Sequence, residues 1–329
     1  MKNQKMNRRY IVVTPCRNEE KNLPNLVQSI TAQTIKPVLW VIVDDGSTDK
    51  TGEIIAEAEK KYDWIKGVHL EEHKEYMGTH LTYVCNTGFE FAKEYCNEKG
   101  ISYEYIALVD ADNILEERYF EKLIGEFEKD EKLGIASGWD AYVDIGNILG
   151  NLRARNPNIT VMNHEFWQVW NSPFVQIQNS RDDFPMGSAR LWIKECFEET
   201  GGYLPVPLPD SVSNAIAKLK GWKAKRFRDI KVMERRGLTK QGLWKGYKEK
   251  GESYFFLGQS LLLTVLKALK YTLKKPYYIG VAYFYGYIKP FVYRKERVKD
   301  DEIRHYYKYI RSRELKAYYK EKMKKLLGK

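Results

Sequence analysis

The chain has 329 residues, 43% of them hydrophobic and 14% aromatic, which is ample material for a large buried core and for one large domain or a domain with an appendage. Its four cysteines, Cys16, Cys85, Cys96 and Cys196, are far apart and show no C-x-x-C spacing, which argues against a zinc site or a disulfide framework and fits a reducing, cytoplasmic setting. The net charge of +11 is unevenly spread: residues 1–217 carry 23 Lys/Arg against 34 Asp/Glu, and residues 218–329 carry 32 against 10.

The short, basic stretch Met1–Arg9 lacks an apolar segment, so no signal peptide is expected before the first strand. Tyr10 to Thr14 reads as a buried strand and is followed by a helix with Leu23, Leu26, Val27 and Ile30 on one face. Val38 to Val43 is a second strand, ending in Asp44-Asp45-Gly46-Ser47-Thr48-Asp49, whose hydroxyl and carboxylate side chains suit a cap for the next helix. A third strand covers Gly67 to Leu70, a helix about Leu81 to Glu98, and a fourth strand ends at Asp110-Ala111-Asp112. Strands alternating with helices predict an α/β fold with a mainly parallel sheet and helices on both faces.

In such a sheet Glu19, the Asp44/Asp45 pair and the Asp110/Asp112 pair fall at one edge, where ligands of open α/β sheets sit. Each cluster alone also reads as helix capping. Gathered in one cleft, carboxylates repel one another and need a cation or donors on a ligand. Two carboxylates at a strand end suit magnesium or manganese shared with a diphosphate. No Gly-rich phosphate loop is present, which argues against dehydrogenases and P-loop NTPases.

Thr14-Pro15-Cys16-Arg17-Asn18-Glu19-Glu20, Val43-Asp44-Asp45-Gly46-Ser47-Thr48-Asp49 and Asp110-Ala111-Asp112 together resemble the inverting glycosyltransferases of family two, with the GT-A fold. The resemblance implies a nucleotide-sugar pocket formed by Pro15, Arg17, Glu19, Asp44, Asp45, Asp110, Ala111 and Asp112. It also implies a magnesium or manganese ion held by Asp112 with support from Asp110. The family's Gly-rich stretch before N-x-G is mostly replaced by His73-Lys74-Glu75-Tyr76-Met77-Gly78-Thr79-His80, although Asn86-Thr87-Gly88 is kept.

A helix from Tyr119 to Lys129 and a strand from Leu133 to Ser137 come next. Residues 139–183 are rich in Asn, Trp and Phe, including Trp167, Trp170, Phe166 and Phe174, and suit either sugar recognition or a core-packing subdomain. Phe184 to Arg190 resembles the family's segment at the donor-acceptor junction. Beyond it, Pro209-Asp210-Ser211 opens a helix that closes at Gly221-Trp222-Lys223. Asp210 matches the second residue of the family's E-D-x-D motif, while Pro209 and Val212 replace two of its acids. Inversion needs one base for the acceptor hydroxyl, and Asp210 is the candidate, with a plain helix cap as its alternative.

Past Asp229 the pattern reads as wholly helical, with breakers at Gly237, Gly242, Gly246, Gly251, Pro276 and Pro290. The expected division is a catalytic domain over 1–235 and a basic, Tyr-rich helical region over 236–329. The apolar segment Tyr277 to Tyr293, about 17 residues at about 1.5 Å each, falls short of a roughly 30 Å hydrocarbon core and suits a membrane surface better than a crossing. The Q-x-x-R-W motif of processive synthases is absent, so single-sugar addition is expected. Together these features predict a metal-dependent transferase of one sugar from a UDP- or GDP-sugar to a polyprenyl-phosphate or lipid-linked glycan acceptor, peripheral at the inner face of the cell membrane. Nucleic acid is not an expected partner, and a homo-oligomer is possible. A soluble acceptor is the alternative that keeps the enzyme, and a non-catalytic polyanion binder on a degenerate transferase body is the alternative from another class. A nucleotidyltransferase fits less well without an early phosphate loop.

Overall fold

The computed structural model describes residues 7–71, 79–142, 145–171, 176–177, 181–235, 240–273 and 275–326. The Gly-poor stretch from His73 to Gly78 lies outside them. Two compact units divide the chain, Met1–Gly237 and Leu238–Lys329.

The first unit begins with β1 (Tyr10–Cys16), α1 (Leu23–Thr31), β2 (Leu39–Asp45), α2 (Thr51–Lys61), β3 (Ile65–Leu70), α3 (Thr79–Glu98) and β4 (Tyr105–Val109). Strands β1, β2 and β4 are buried along their whole length, which explains their continuous apolar runs rather than alternating ones. Successive residues point to opposite faces, so Tyr10 and Val12 join one core while Ile11 and Val13 join the other. On the first face α1 contributes Leu23, Leu26 and Ile30 at helical spacing, with Pro24 in its first turn, where a missing N–H costs nothing.

The chain continues through β5 (Asn113–Leu115), α4 (Tyr119–Lys129), β6 (Leu133–Tyr142), α5 (Ile145–Arg153), α6 (His164–Gln168), β7 (Gln176–Ile177), β8 (Ala189–Ile193), α7 (Lys194–Glu199), α8 (Pro209–Leu219) and β9 (Lys223–Glu234). The sheet order is β3-β2-β1-β4-β8-β6-β9-β5, with β7 added to β6. From β3 to β4 it is parallel; β8 then enters antiparallel between β4 and β6. The α/β class expected from the sequence is the one observed.

One expectation is corrected and one open alternative is decided. The chain past Asp229 is not yet helical, because β9 runs on to Glu234, its Ile230 and Val232 packing into the first core and Met233 into another. The stretch after β6 packs a third core, in which Trp139, Ile148, Leu149, Phe166 and Trp170 close over Ile114 and Met233. Trp170 and Phe166 are therefore core residues, whereas Phe174 lies outside the described residues.

The second unit holds α9 (Lys240–Phe256), α10 (Leu261–Thr272), α11 (Tyr278–Val292), α12 (Asp301–His305) and α13 (Arg311–Leu326). Gly242, Gly246 and Gly251 do not break α9, and Pro290 stays inside α11. A Cβ on Gly251 would collide with the Tyr283 carbonyl, and one on Gly286 with the Lys248 carbonyl, so α9 and α11 cross backbone against backbone.

Candidate active site

The parallel register of β1, β2 and β4 sets Cys16 opposite Asp44 and Val13 opposite Leu108, so the C-terminal ends of all three strands reach one edge of the sheet. The loops after β1 and β2 are laced together there. Asn18 takes a left-handed backbone (φ 56°), its N–H donates to Ser47 Oγ at 2.9 Å, and its Oδ1 accepts from Thr48 N at 2.9 Å. Glu19 N donates to Thr51 Oγ1 at 2.7 Å, and Glu20 N to Asp49 Oδ2 at 3.1 Å.

Within this frame Asp44, Asp45 and Glu19 are all buried. Asp45 Oδ1 lies 2.9 Å from His80 Nε2, and its Oδ2 lies 3.8 Å from Arg17 Nη1. Asp44 Oδ1 accepts from Ser47 N at 3.1 Å, and its Oδ2 lies 3.2 Å from His69 Nδ1. Glu19 accepts from Asn22 Nδ2 at 2.5 Å. Pro15 is a buried residue of β1 opposite Val43. A cavity of about 380 Å³, lined by Asn18, Glu20, Lys21, Asn22, Asp49 and Arg235, opens beside the two loops.

The Asp110-Ala111-Asp112 turn leaves β4 and leads directly into β5. Asp110 N donates to Ser188 O at 2.7 Å, and Asn113 Nδ2 donates to the same oxygen, which ties the turn to the start of β8. Ala111 is buried beneath it. Because β5 pairs with the end of β9, Asn113 stands opposite Glu234, and Asp112 O accepts from Arg235 N at 3.1 Å. Burial, followed by the charges of Asp112 and Asp210, pushes the Asp110 carboxyl up to about 8 against the pull of Arg190. Burial, followed by Asp112 and Asp110, pushes Glu234 up to about 9. These side chains therefore share one electrostatic site. Among the described residues no group of three or more His, Cys, Asp or Glu forms a metal-ligand cluster.

Asp210 stands in the first turn of α8, just after Leu208, whose left-handed backbone (φ 58°) turns the chain into the helix. Gly187 lies beside it: a Cβ there would approach Asp210 Cβ to 3.2 Å. Arg190, which has no exposed surface, binds this corner through backbone oxygens. It donates from Nε to Met186 O at 2.8 Å, from Nη2 to Pro185 O at 3.0 Å and from Nη1 to Asp210 O at 3.3 Å. Asn214 Nδ2 adds a bond to Pro185 O at 2.9 Å.

Glu234, His69 and His80 carry no role in the sequence reading, and Gly187 and Arg190 enter it only as members of the Phe184 to Arg190 segment. His80 and Arg190 stand inside motif stretches and were within reach of it. Glu234 reaches the site only through the β5–β9 pairing, which no local pattern announces.

The parallel part of a mixed sheet thus brings Asp44, Asp45, Asp110 and Asp112 to the ends of its strands and Glu19 to the loop after β1, in a protein of the α/β class. Residues 11–185 match the family described as glycosyl transferase family 2, and the chain belongs to that family. It is 29% identical over 138 residues to a poly-beta-1,6-N-acetyl-D-glucosamine synthase of Staphylococcus epidermidis, a match covering 42% of this chain and 30% of the relative. The synthase of the same name from Staphylococcus aureus strain N315 is 27% identical over a stretch of the same size. The match thus spans less than a third of these relatives. Among solved structures, the mannosyltransferase PcManGT of Pyrobaculum calidifontis, in complex with GDP-Man and Mn2+, superposes with a TM-score of 0.48 and 17% identity, over 84% of this chain and 69% of that one. TarS of S. aureus in complex with UDP-GlcNAc gives 0.49 and 14%, over 89% and 93%.

Proposed function

We propose that this chain is a metal-dependent inverting glycosyltransferase of the GT-A type that moves a single sugar from a nucleoside-diphosphate sugar to a polyprenyl-phosphate or lipid-linked glycan at the inner face of the cell membrane. The observation that carries the reading is that the Asp110-Ala111-Asp112 turn, bonded to Ser188 O, and Asp210, packed against the neighbouring Gly187, meet at one corner, where Asp112 and Asp210 both raise the Asp110 carboxyl. Glu19, Asp44 and Asp45, with Pro15 and Arg17, form the nucleoside pocket in this reading.

The residues present fit a magnesium or manganese ion. Asp112 and Asp110 supply the one or two carboxylates that such an ion takes from protein when diphosphate oxygens complete its shell. Burial first, and then their acidic neighbours, raise the proton affinities of Asp110 and Glu234. When bound, the ion supplies Lewis-acid stabilisation of the departing diphosphate. Asp210 takes the proton from the acceptor hydroxyl as that oxygen attacks the anomeric carbon opposite the leaving group. Arg190 and Gly187 hold the corner from which it acts.

The names of the curated relatives make N-acetylglucosamine donors the first to try. Thermal unfolding with a panel of nucleoside diphosphates, each with and without Mn2+, tests the donor site. Stabilisation that needs both components is expected, and none with any nucleotide would sink the enzymatic reading. In the same protein Asp210→Asn is expected to lower kcat by about 100-fold or more while leaving nucleotide stabilisation intact. An unchanged rate would remove Asp210 from its role.

A further inference from the structure

Helix α10 presents two different faces. Thr264 and Ala268 are buried, and Ala268 and Thr272 meet Gly280 of α11 closely enough that a Cβ on that glycine would collide with them. The other side carries Leu262, Leu266, Leu269 and Leu273, which are 70%, 55%, 58% and 81% exposed. Their spacing of four, three and four makes one continuous stripe turned away from α11. Helix α11 repeats the pattern, with Ile279, Ala282, Tyr283 and Tyr287 buried and Val281, Tyr285 and Val292 exposed. Four leucines in a row on the surface are unusual, because contiguous apolar patches on a folded chain mark contact sites.

Charge selects the kind of contact. Residues 253–295 contain seven Lys/Arg and no Asp or Glu. Lys270, Lys275, Lys289, Arg294 and Lys295 are all exposed, so the charge that α10, α11 and their ends present is basic. Tyrosines are exposed as well, with Tyr277 and Tyr293 among the most exposed aromatics. An apolar stripe with basic charge and exposed tyrosines matches an anionic lipid surface in every part. Neither helix crosses a bilayer: at about 1.5 Å per residue, helices of 12 and 15 residues fall short of a roughly 30 Å core, and among the described residues none is long and apolar enough.

We propose that the exposed faces of α10 and α11 lie in the surface of an anionic bilayer, with the leucine stripe among the acyl chains and the basic side chains on the headgroups. The inference takes its purpose from the lipid-linked acceptor proposed above, while its physical basis lies in this unit alone.

Flotation of the full chain with phosphatidylglycerol-containing vesicles and with pure phosphatidylcholine vesicles tests it. The chain is expected to float with the anionic vesicles, less with the neutral ones, and less again as salt rises. Replacing Leu262, Leu266, Leu269 and Leu273 together by Ser is expected to weaken partitioning by about 100-fold or more. Since those side chains are exposed, the variant keeps its far-ultraviolet circular dichroism. A second variant, Lys270→Glu with Lys275→Glu and Lys289→Glu, leaves the stripe intact and is expected to lose the preference for anionic lipid. The proposal fails if the native chain does not float, if the leucine variant floats like it, or if sedimentation velocity shows the stripe holding two copies of the chain together. Nucleotide stabilisation measured on the same samples separates the two readings, because it reports the donor site whatever the vesicles do.

Discussion

Asp210 is hemmed in on the side facing Gly187, where even a methyl group would come within 3.2 Å of its Cβ. Gly187→Ala therefore moves the candidate base by a few tenths of an ångström without opening a cavity. The expected result is a kcat about tenfold lower with an unchanged KM for the donor, since misplacement of a catalytic group reports on the transition state more than on ground-state binding. Steady-state kinetics check it; a shift confined to KM would contradict it. Asp183 offers a pH test away from the site. Burial would raise its carboxyl, but hydrogen bonds from Arg181 and Lys218 outweigh that and lower it to about 2. A lowered folded-state value stabilises the fold above the ordinary aspartate range near ~3.9, and the contribution disappears as pH falls through about 2. Asp183→Asn is accordingly less stable than the native chain at pH 5, with the gap narrowing by pH 2.5, as read from urea midpoints. The acidic residues of the β1, β2 and β4 ends were legible because their motifs are continuous in sequence. Glu234 was not, because its relation to Asp112 exists only once β9 has paired with β5.

Elements were legible where one period dominates. β1, β2 and β4 are unbroken apolar runs, and α4 buries Tyr119, Phe120, Leu123, Ile124 and Phe127 on a single face. The end of β9, past Asp229, was read as the start of the helical region because Val232 and Met233, adjacent and both buried, break the alternation. The stretch after β6 gave no period at all, since its short helices bury side chains in a local cluster at the sheet end rather than along one long face. The glycines of α9 misled in another way: residues that weaken an isolated helix permit close packing of a paired one. Gly286→Ala tests that point, because the added carbon would collide with the Lys248 carbonyl. A loss of about 3 kcal/mol is expected from chemical unfolding of the second unit. A loss near zero would mean that the helices separate at little cost.

At the scale of the whole chain, the acidic body and the basic helical unit coincide only roughly with the charge boundary, since β9 already belongs to the basic part of the sequence while completing the sheet of the first unit. Each unit has its own core, so two unfolding transitions are expected in a calorimetric scan. A nucleoside diphosphate with Mn2+ is expected to raise only the transition of residues 1–237, because a ligand stabilises the unit that binds it. A single transition that moves as one would show the two units to be thermodynamically inseparable.

The hydrogen bonds that lace the loops after β1 and β2 bear on how a ligand arrives. Asn18 reaches Ser47 and Thr48, Glu19 reaches Thr51, and Glu20 reaches Asp49, so each loop is tied to the other at several points. For the proposed donor site, these cross-links predict a one-step encounter, its observed rate climbing linearly with nucleotide concentration in stopped flow.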